Sequence, residues 1–365
     1  MPIIVNPGGI NVDFKRKKLR LVHRSVFHQS GSARSYGRCV LKDNSVLLSR
    51  GLEYLGRHAP IFMASGFLFG LCLPPLAAII RPGLTALVLV LLIVVLLRID
   101  YGKVATQMRA PAMLVSALAW LLIGAPLLMA LILKYLHPSP EINAVLVLWA
   151  ASPPLASAPA VALVLRLDGA ATILLTLSST IIFPLTLPLI AAYVLGIDLG
   201  VSPLDLSLRL FAMIAGALLV AKLISRYLGQ QRIQAHRMRI DGIIVIILFL
   251  FGVGVMDGAA AALIEAPRFA ISLLAIVFAA AIGMIIIGTL LFWWTGWRVG
   301  GGIGFISGNR NFAITLGASN AWPPEFFLFF AALQFPIYLL PLALRMISTK
   351  LEKLGQKRRK KYRRK

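Results

Sequence analysis

The sequence predicts an all-α polytopic membrane protein: ten transmembrane helices in a 5+5 inverted repeat, with spans four and nine broken. Composition, the length of the apolar runs and the alternation of charge between loops lead to this reading. Of the 365 residues, 59% are apolar and 14% charged, and the mean hydropathy is +0.86. Soluble domains sit near 45–50% apolar with about 25% charged. A single soluble core could not hide this much apolar surface.

The net charge of +24 would suggest a nucleic-acid binder if it were spread evenly, but it sits at the two ends. Residues 1–59 hold eleven Lys/Arg and three acids, and residues 350–365 hold ten Lys/Arg and one acid. These read as a basic cytoplasmic N-terminal tail over 1–59, partly disordered, and a basic cytoplasmic C-terminal tail over 349–365. Basic ends flanking an apolar block are how cytoplasmic segments of membrane proteins look. Anionic lipid is their expected partner, and no nucleic acid is expected.

A crossing needs about 20 apolar residues for roughly 30 Å of hydrocarbon. Ten runs meet this: 60–80, 82–98, 110–134, 142–166, 169–195, 204–226, 239–256, 268–292, 300–320 and 324–347. Arg98, Lys103, Arg109, Arg166, Lys222, Arg226, Arg232, Arg237, Arg239 and Arg298 fall on one set of loops. Glu141, Asp198, Asp205, Asp257, Glu265 and Glu325 fall on the other, where Arg81, Lys134 and Arg268 are exceptions. The positive-inside rule then puts both termini in the cytoplasm of a multi-pass cell-membrane protein. Ten crossings divide into repeats over 60–195 and 204–348. An odd number in each forces the second to enter the membrane inverted, as in many secondary transporters.

The fourth span of each repeat is interrupted. Span four carries Ser152-Pro153-Pro154-Leu155-Ala156-Ser157-Ala158-Pro159, and proline removes a backbone donor and clashes with the preceding turn. Span nine runs from Gly300-Gly301-Gly302-Ile303-Gly304 to Ser307-Gly308-Asn309-Arg310-Asn311, where glycine and a polar quartet are read as the interruption. Backbone groups freed at membrane depth must be buried in protein or line a cavity, so a binding site is expected at the two breaks.

Arg310 is the charged residue nearest the middle of a span, about ten residues from either end. Burial there costs about 2.5–3.5 kcal/mol on insertion scales. It could snorkel, satisfy carbonyls of the broken helix, or act as an anion clamp or fixed positive charge. Ser307, Gly308, Asn309 and Asn311 surround it. In span five, Thr176, Ser179 and Thr180 share a helix face by i, i+3, i+4 spacing. Their hydroxyls could coordinate Na⁺ or a substrate oxygen, or bond back to the i−4 carbonyl. Ser152 and Ser157 in broken span four extend this candidate substrate- or ion-binding set.

Other chemistry is poorly provided for. Cys39 and Cys72 make no disulfide framework or CxxC site, and no catalytic or metal-ligating set is expected. The spans offer Ser and Thr but no His, Asp or Glu at matching depth, which argues against an enzyme.

The segments Ser152–Pro159, Asp168–Pro188 and Gly308-Asn309-Arg310-Asn311 resemble motifs of the bile acid:sodium symporter superfamily, which is related to arsenite-efflux and organic-anion carriers. The resemblance implies that the breaks in spans four and nine cross, and that the substrate is a small organic anion. It also implies symport with Na⁺, with Thr176 and Thr180 as surviving oxygen ligands. Departures stand beside it: Pro159 replaces the family's Asn, Ile306 its Glu and Arg310 its Gln. Those carboxylate and amide groups are the ones the family uses for cations. Na⁺ coupling is therefore expected to be lost or weakened, with the Arg310 guanidinium replacing a bound cation. The alternatives are a Na⁺-coupled symporter with other ligands, or a non-transporting membrane receptor of the same fold.

Overall fold

The computed structural model describes residues 49–97, 111–195, 202–318 and 324–362. Most of the N-terminal tail, the loop bearing Lys103 and Arg109, Asp198, Trp322 and the last three residues lie outside the described residues. Every element within them is helical, and the sole β-type pairing is an isolated bridge between Pro154 and Arg310.

Helix α1 is Ala59–Cys72, preceded by a helical stretch over 49–57. It is followed by α2, Pro74–Leu97, and α3, Pro111–Leu136. Two shorter helices, α4 (Pro140–Ala151) and α5 (Ala158–Val164), take up the region read as span four. Then come α6 (Gly169–Leu195), α7 (Pro203–Leu228), α8 (Arg237–Glu265) and α9 (Pro267–Leu291). The chain finishes with α10 (Trp297–Gly308), α11 (Phe312–Gly317) and α12 (Pro324–Tyr362). Seven of these are long and apolar enough to cross a membrane: α2, α3, α6, α7, α8, α9 and, within α12, Phe326–Arg345. The protein is thus an all-α, multi-pass membrane protein.

Three differences from the sequence reading have physical causes. The apolar run puts the first span at 60–80, yet the helix turns at Leu73 (φ −125°, ψ 67°). Pro74 has no N–H and drives its predecessor out of the α region, so Arg81 lies inside α2. There its guanidinium pairs with Asp257 at 2.8 Å, which accounts for one exception on the acid-rich side.

The second difference concerns the glycines of span nine, which do not unwind it. Gly300, Gly304 and Gly308 recur every fourth residue along regular helix α10. A Cβ on Gly304 would collide with Thr289 and the Ile285 carbonyl, and one on Gly308 with the Ala281 carbonyl. The run is a small-residue ladder that seats α10 against α9, and close backbone approach of this kind is how helices associate in lipid. Gly66 and Gly70 do the same for α1 on α8, where a Cβ would meet the Phe249 and Val253 carbonyls at 2.7 and 2.5 Å.

The third difference is local. A π-helical turn, Trp120–Gly124, interrupts α3, and a second, Ile190–Leu195, forms the last stretch of α6, neither of which apolar run length signals. The first precedes Pro126.

Packing sorts the helices into two groups. Helices α1, α2, α7 and α8 pack on one another, and α3–α6 and α9–α12 surround the two breaks. The groups meet where α6 lies on α7, where α11 lies on α2, and where α12 lies against α8 and α1 through the Phe251–Phe330 and Phe67–Tyr338 ring pairs. Short caps fix the entries: Ser202 Oγ accepts from the Asp205 N–H at 3.0 Å, and Asp168 Oδ1 from the Ala171 N–H at 2.9 Å. Such caps are worth about 1 kcal/mol each.

The glycine ladder gives a paired test. Gly304→Ala should lower the unfolding temperature in detergent, because overpacking against backbone costs about 1–3 kcal/mol. Gly216→Ala, in α7 with nothing within 4 Å, should leave stability unchanged or raise it by up to about 1 kcal/mol.

A guanidinium at two crossed helix breaks

Helix α4 ends because its next residues are Ser152-Pro153-Pro154, and Ser152 takes an extended ψ of 152°. Helix α10 ends at Asn309, whose φ and ψ are −114° and 82°. The two extended segments run antiparallel across each other. The Leu155 N–H donates to the Asn309 carbonyl at 2.9 Å, and the Asn311 N–H donates to the Pro153 carbonyl at 2.7 Å. Backbone amides that left their helices are thus paired at depth, as a hydrocarbon surround demands.

Arg310 lies at this crossing and is fully buried. Its Nε donates to the Ser307 carbonyl at 2.7 Å, and its Nη1 donates to the carbonyls of Leu121 at 2.9 Å and Ser152 at 3.0 Å. Each acceptor is free for a definable reason. In a continuing helix the Ser307 carbonyl would bind the Asn311 N–H, which has gone to Pro153. Ser152 sits at the end of α4. In the π turn of α3 the Ala125 N–H reaches back to the Trp120 carbonyl. The Leu121 carbonyl would then look to residue 126, a proline without a hydrogen to give. Two of the three carbonyls belong to C-terminal helix ends, where the partial charge is negative and favours a cation.

Arg310 Nη2 has no partner, and among the described residues no carboxylate forms an ion pair with this guanidinium.

The hydroxyls around the crossing are largely spent. Ser152 Oγ donates to the Leu148 carbonyl at 2.9 Å and lies 2.7 Å from Thr315 Oγ1. Ser307 Oγ donates to the Ile303 carbonyl at 2.7 Å and accepts from the Trp120 indole N–H at 3.0 Å. The Asn309 amide donates back to the Phe305 carbonyl at 2.8 Å. Asn311 is half-buried, and its side chain makes no cap. Gly308 is buried against α9, and Ser157 is exposed. The structure therefore gathers Ser152, Ser307, Asn309 and Arg310 around one crossing and leaves the Ser157 side chain outside it.

In α6, Thr176, Ser179 and Thr180 are buried on one face. Ser179 Oγ donates to the Leu175 and Thr176 carbonyls at 2.6 and 3.0 Å, and Thr180 Oγ1 donates to the Thr176 carbonyl at 2.7 Å. Thr176 Oγ1 is buried with no partner at all, the one hydroxyl of the three free to serve a ligand. Among the described residues no group of His, Cys, Asp or Glu could hold a metal ion.

Three contributors escaped the sequence reading: Leu121, Trp120 and Thr315. Leu121 acts through a carbonyl, which no residue type advertises. Trp120 did carry a signal, because it sits in mid-span rather than at the interface where tryptophans gather.

No protein-family model and no curated protein sequence matches the chain.

Two substitutions separate structural from ligand-serving groups. Arg310→Met orphans three buried carbonyls at roughly 1–3 kcal/mol each, partly offset by relief of the buried charge. Its unfolding temperature in detergent should fall by the equivalent of about 2 kcal/mol or more. Thr176→Val keeps the shape and removes an unpartnered hydroxyl, so the same measurement should give no loss or a slight gain.

Proposed function

We propose that this protein is a secondary transporter of a small organic anion, in which the Arg310 guanidinium is a built-in cation. The observation that carries the reading is the guanidinium itself: fully buried, held by three backbone carbonyls, and carrying one unpartnered nitrogen with no ion-paired acid among the described residues. Carbonyls converging from helix C-termini are what a transporter uses to coordinate a monovalent cation near the bilayer midplane. Arg310 fills that role covalently, so the carrier runs without Na⁺ coupling. Its free nitrogen is the group that pairs with the anion.

The ten-crossing, 5+5 inverted arrangement belongs to the same proposal and draws support from the two broken regions. Helix α4 has 12 residues and α5 has 7, while α10 has 12 and α11 has 6. Each pair is followed by a long helix with two internal prolines, Pro184 and Pro188 in one case, Pro336 and Pro341 in the other. Counting α1 and the two broken pairs with the seven long helices gives ten. We place the protein in the cell membrane with both termini cytoplasmic, on the charge alternation of the loops, and take anionic lipid as the partner of the basic tails.

The likeness of the crossed breaks to the bile acid:sodium symporter superfamily supports transport over catalysis. One observation favours the rival Na⁺-coupled carrier, the unpartnered Thr176 hydroxyl.

The test needs no known substrate. A ligand at about 100 times its dissociation constant stabilises by roughly 2.7 kcal/mol. The unfolding temperature of the purified protein should be equal in Na⁺, K⁺ and choline at constant ionic strength, and should rise with the right member of an organic-anion panel. Arg310→Gln should abolish the anion response and acquire a Na⁺ response. A Na⁺-specific shift in the unsubstituted protein would overturn the built-in cation and favour the rival. Vesicle uptake of the stabilising anion then separates a carrier from a receptor.

A further inference from the structure

A second guanidinium, that of Arg81, touches both helix groups. Arg81 lies on a 3₁₀ turn of α2, Arg81–Gly83, and donates from Nη1 to Asp257 Oδ2 at 2.8 Å. Asp257 follows the main run of α8 and precedes Gly258, whose φ of +78° turns the chain. The approach is close by construction, since a Cβ on Gly254 would lie 2.9 Å from Ile80 and 3.4 Å from the Arg81 amide. So far this is an ion pair within one group, like Arg239 with Glu53 at 3.1 Å near the start of α8.

The difference is the third partner. The Arg81 guanidinium carbon lies 4.7 Å from the centroid of the Phe327 ring, and Phe327 stands in the first turn of α12, in the group around the crossed breaks. A cation over an aromatic face is attracted by the ring quadrupole, the more so away from water. Arg81 is about one-third exposed and Asp257 about one-fifth, so the contact is partly screened and can be made and broken. On the charge alternation of the loops, this end of α2, α8 and α12 faces the outside.

We propose that Arg81, aimed by Asp257, is a latch that closes the outer end by resting on Phe327, and that it must leave the ring when the helix groups separate. Its meaning as a gate rests on the carrier reading, whereas the latch itself is measurable without it. Asp257 is a positioning residue here. Arg81 and Phe327 make the one charged contact between the groups at this end among the described residues, beside the Phe251–Phe330 and Phe67–Tyr338 ring pairs that hold α8 and α1 to α12.

Hydrogen–deuterium exchange of the full chain in lipid nanodiscs tests this. Phe327→Leu, which keeps an apolar side chain and removes the ring, should speed exchange in peptides covering 74–84 by roughly two- to fivefold. Arg81→Leu should do the same for peptides covering 324–330, and the double variant should exceed neither single one. The swap Arg81→Asp with Asp257→Arg restores the ion pair but not the ring contact, so exchange should stay raised. Unchanged exchange over 74–84 in Phe327→Leu would overturn the latch, as would full recovery in the swap. Failure of the carrier reading would register elsewhere, as the absence of any anion response in the unsubstituted protein.

Discussion

The bond set around the Arg310 guanidinium is the constraint on which the centre of this protein depends. A broken helix in a bilayer leaves carbonyls that water cannot reach, each costing a few kcal/mol. Here one side chain gathers three of them, from α3, α4 and α10. A planar fork with a permanent charge suits this better than an ammonium, because its donors are fixed in direction and it does not lose its proton. The extended segments supply the remaining pairings to each other. The crossing is therefore a small polar core in which nearly every donor and acceptor is assigned.

Close packing around the crossing follows from the same need. Strands that exchange only two backbone bonds do not hold two helices in place. The neighbouring helix α9 must press against α10 from behind, and the ladder of Gly300, Gly304 and Gly308 permits it. On the other side Phe312 packs against Phe326, Phe329 and Phe330. Offset and edge-on aromatic pairs of this kind add roughly 0.5–1.5 kcal/mol each to their burial.

Much of this was legible in the residues, and the misses have physical causes. Apolar run length marks helices in lipid, because nothing else satisfies the backbone there. Prolines 153, 154 and 159 marked the first break, and a charged residue at mid-span marked the second. Glycine was ambiguous: the same residue loosens a helix or lets another approach, and only the neighbours decide. The turn at Leu73 was hidden because the apolar run continues through it. Helix α3 showed nothing polar near Leu121, and its contribution arises from a missing hydrogen on Pro126. The hydroxyls of Ser152 and Ser307 were visible as candidates, but their commitment to Leu148, Thr315, Ile303 and Trp120 depends on three-dimensional neighbours.

The crossing also sets a schedule for biogenesis. Arg310 and the Ser152 carbonyl it binds are 158 residues apart in the chain. At about 5–20 residues per second, the ribosome needs roughly 8–30 s to make that interval. Throughout it, the first broken segment exists while the arginine that satisfies its carbonyls does not. The first half of the protein is thus an unfinished object in the bilayer, which must be held by water, lipid headgroups or the insertion machinery until the second half arrives. A chain truncated after α6 would never leave that state.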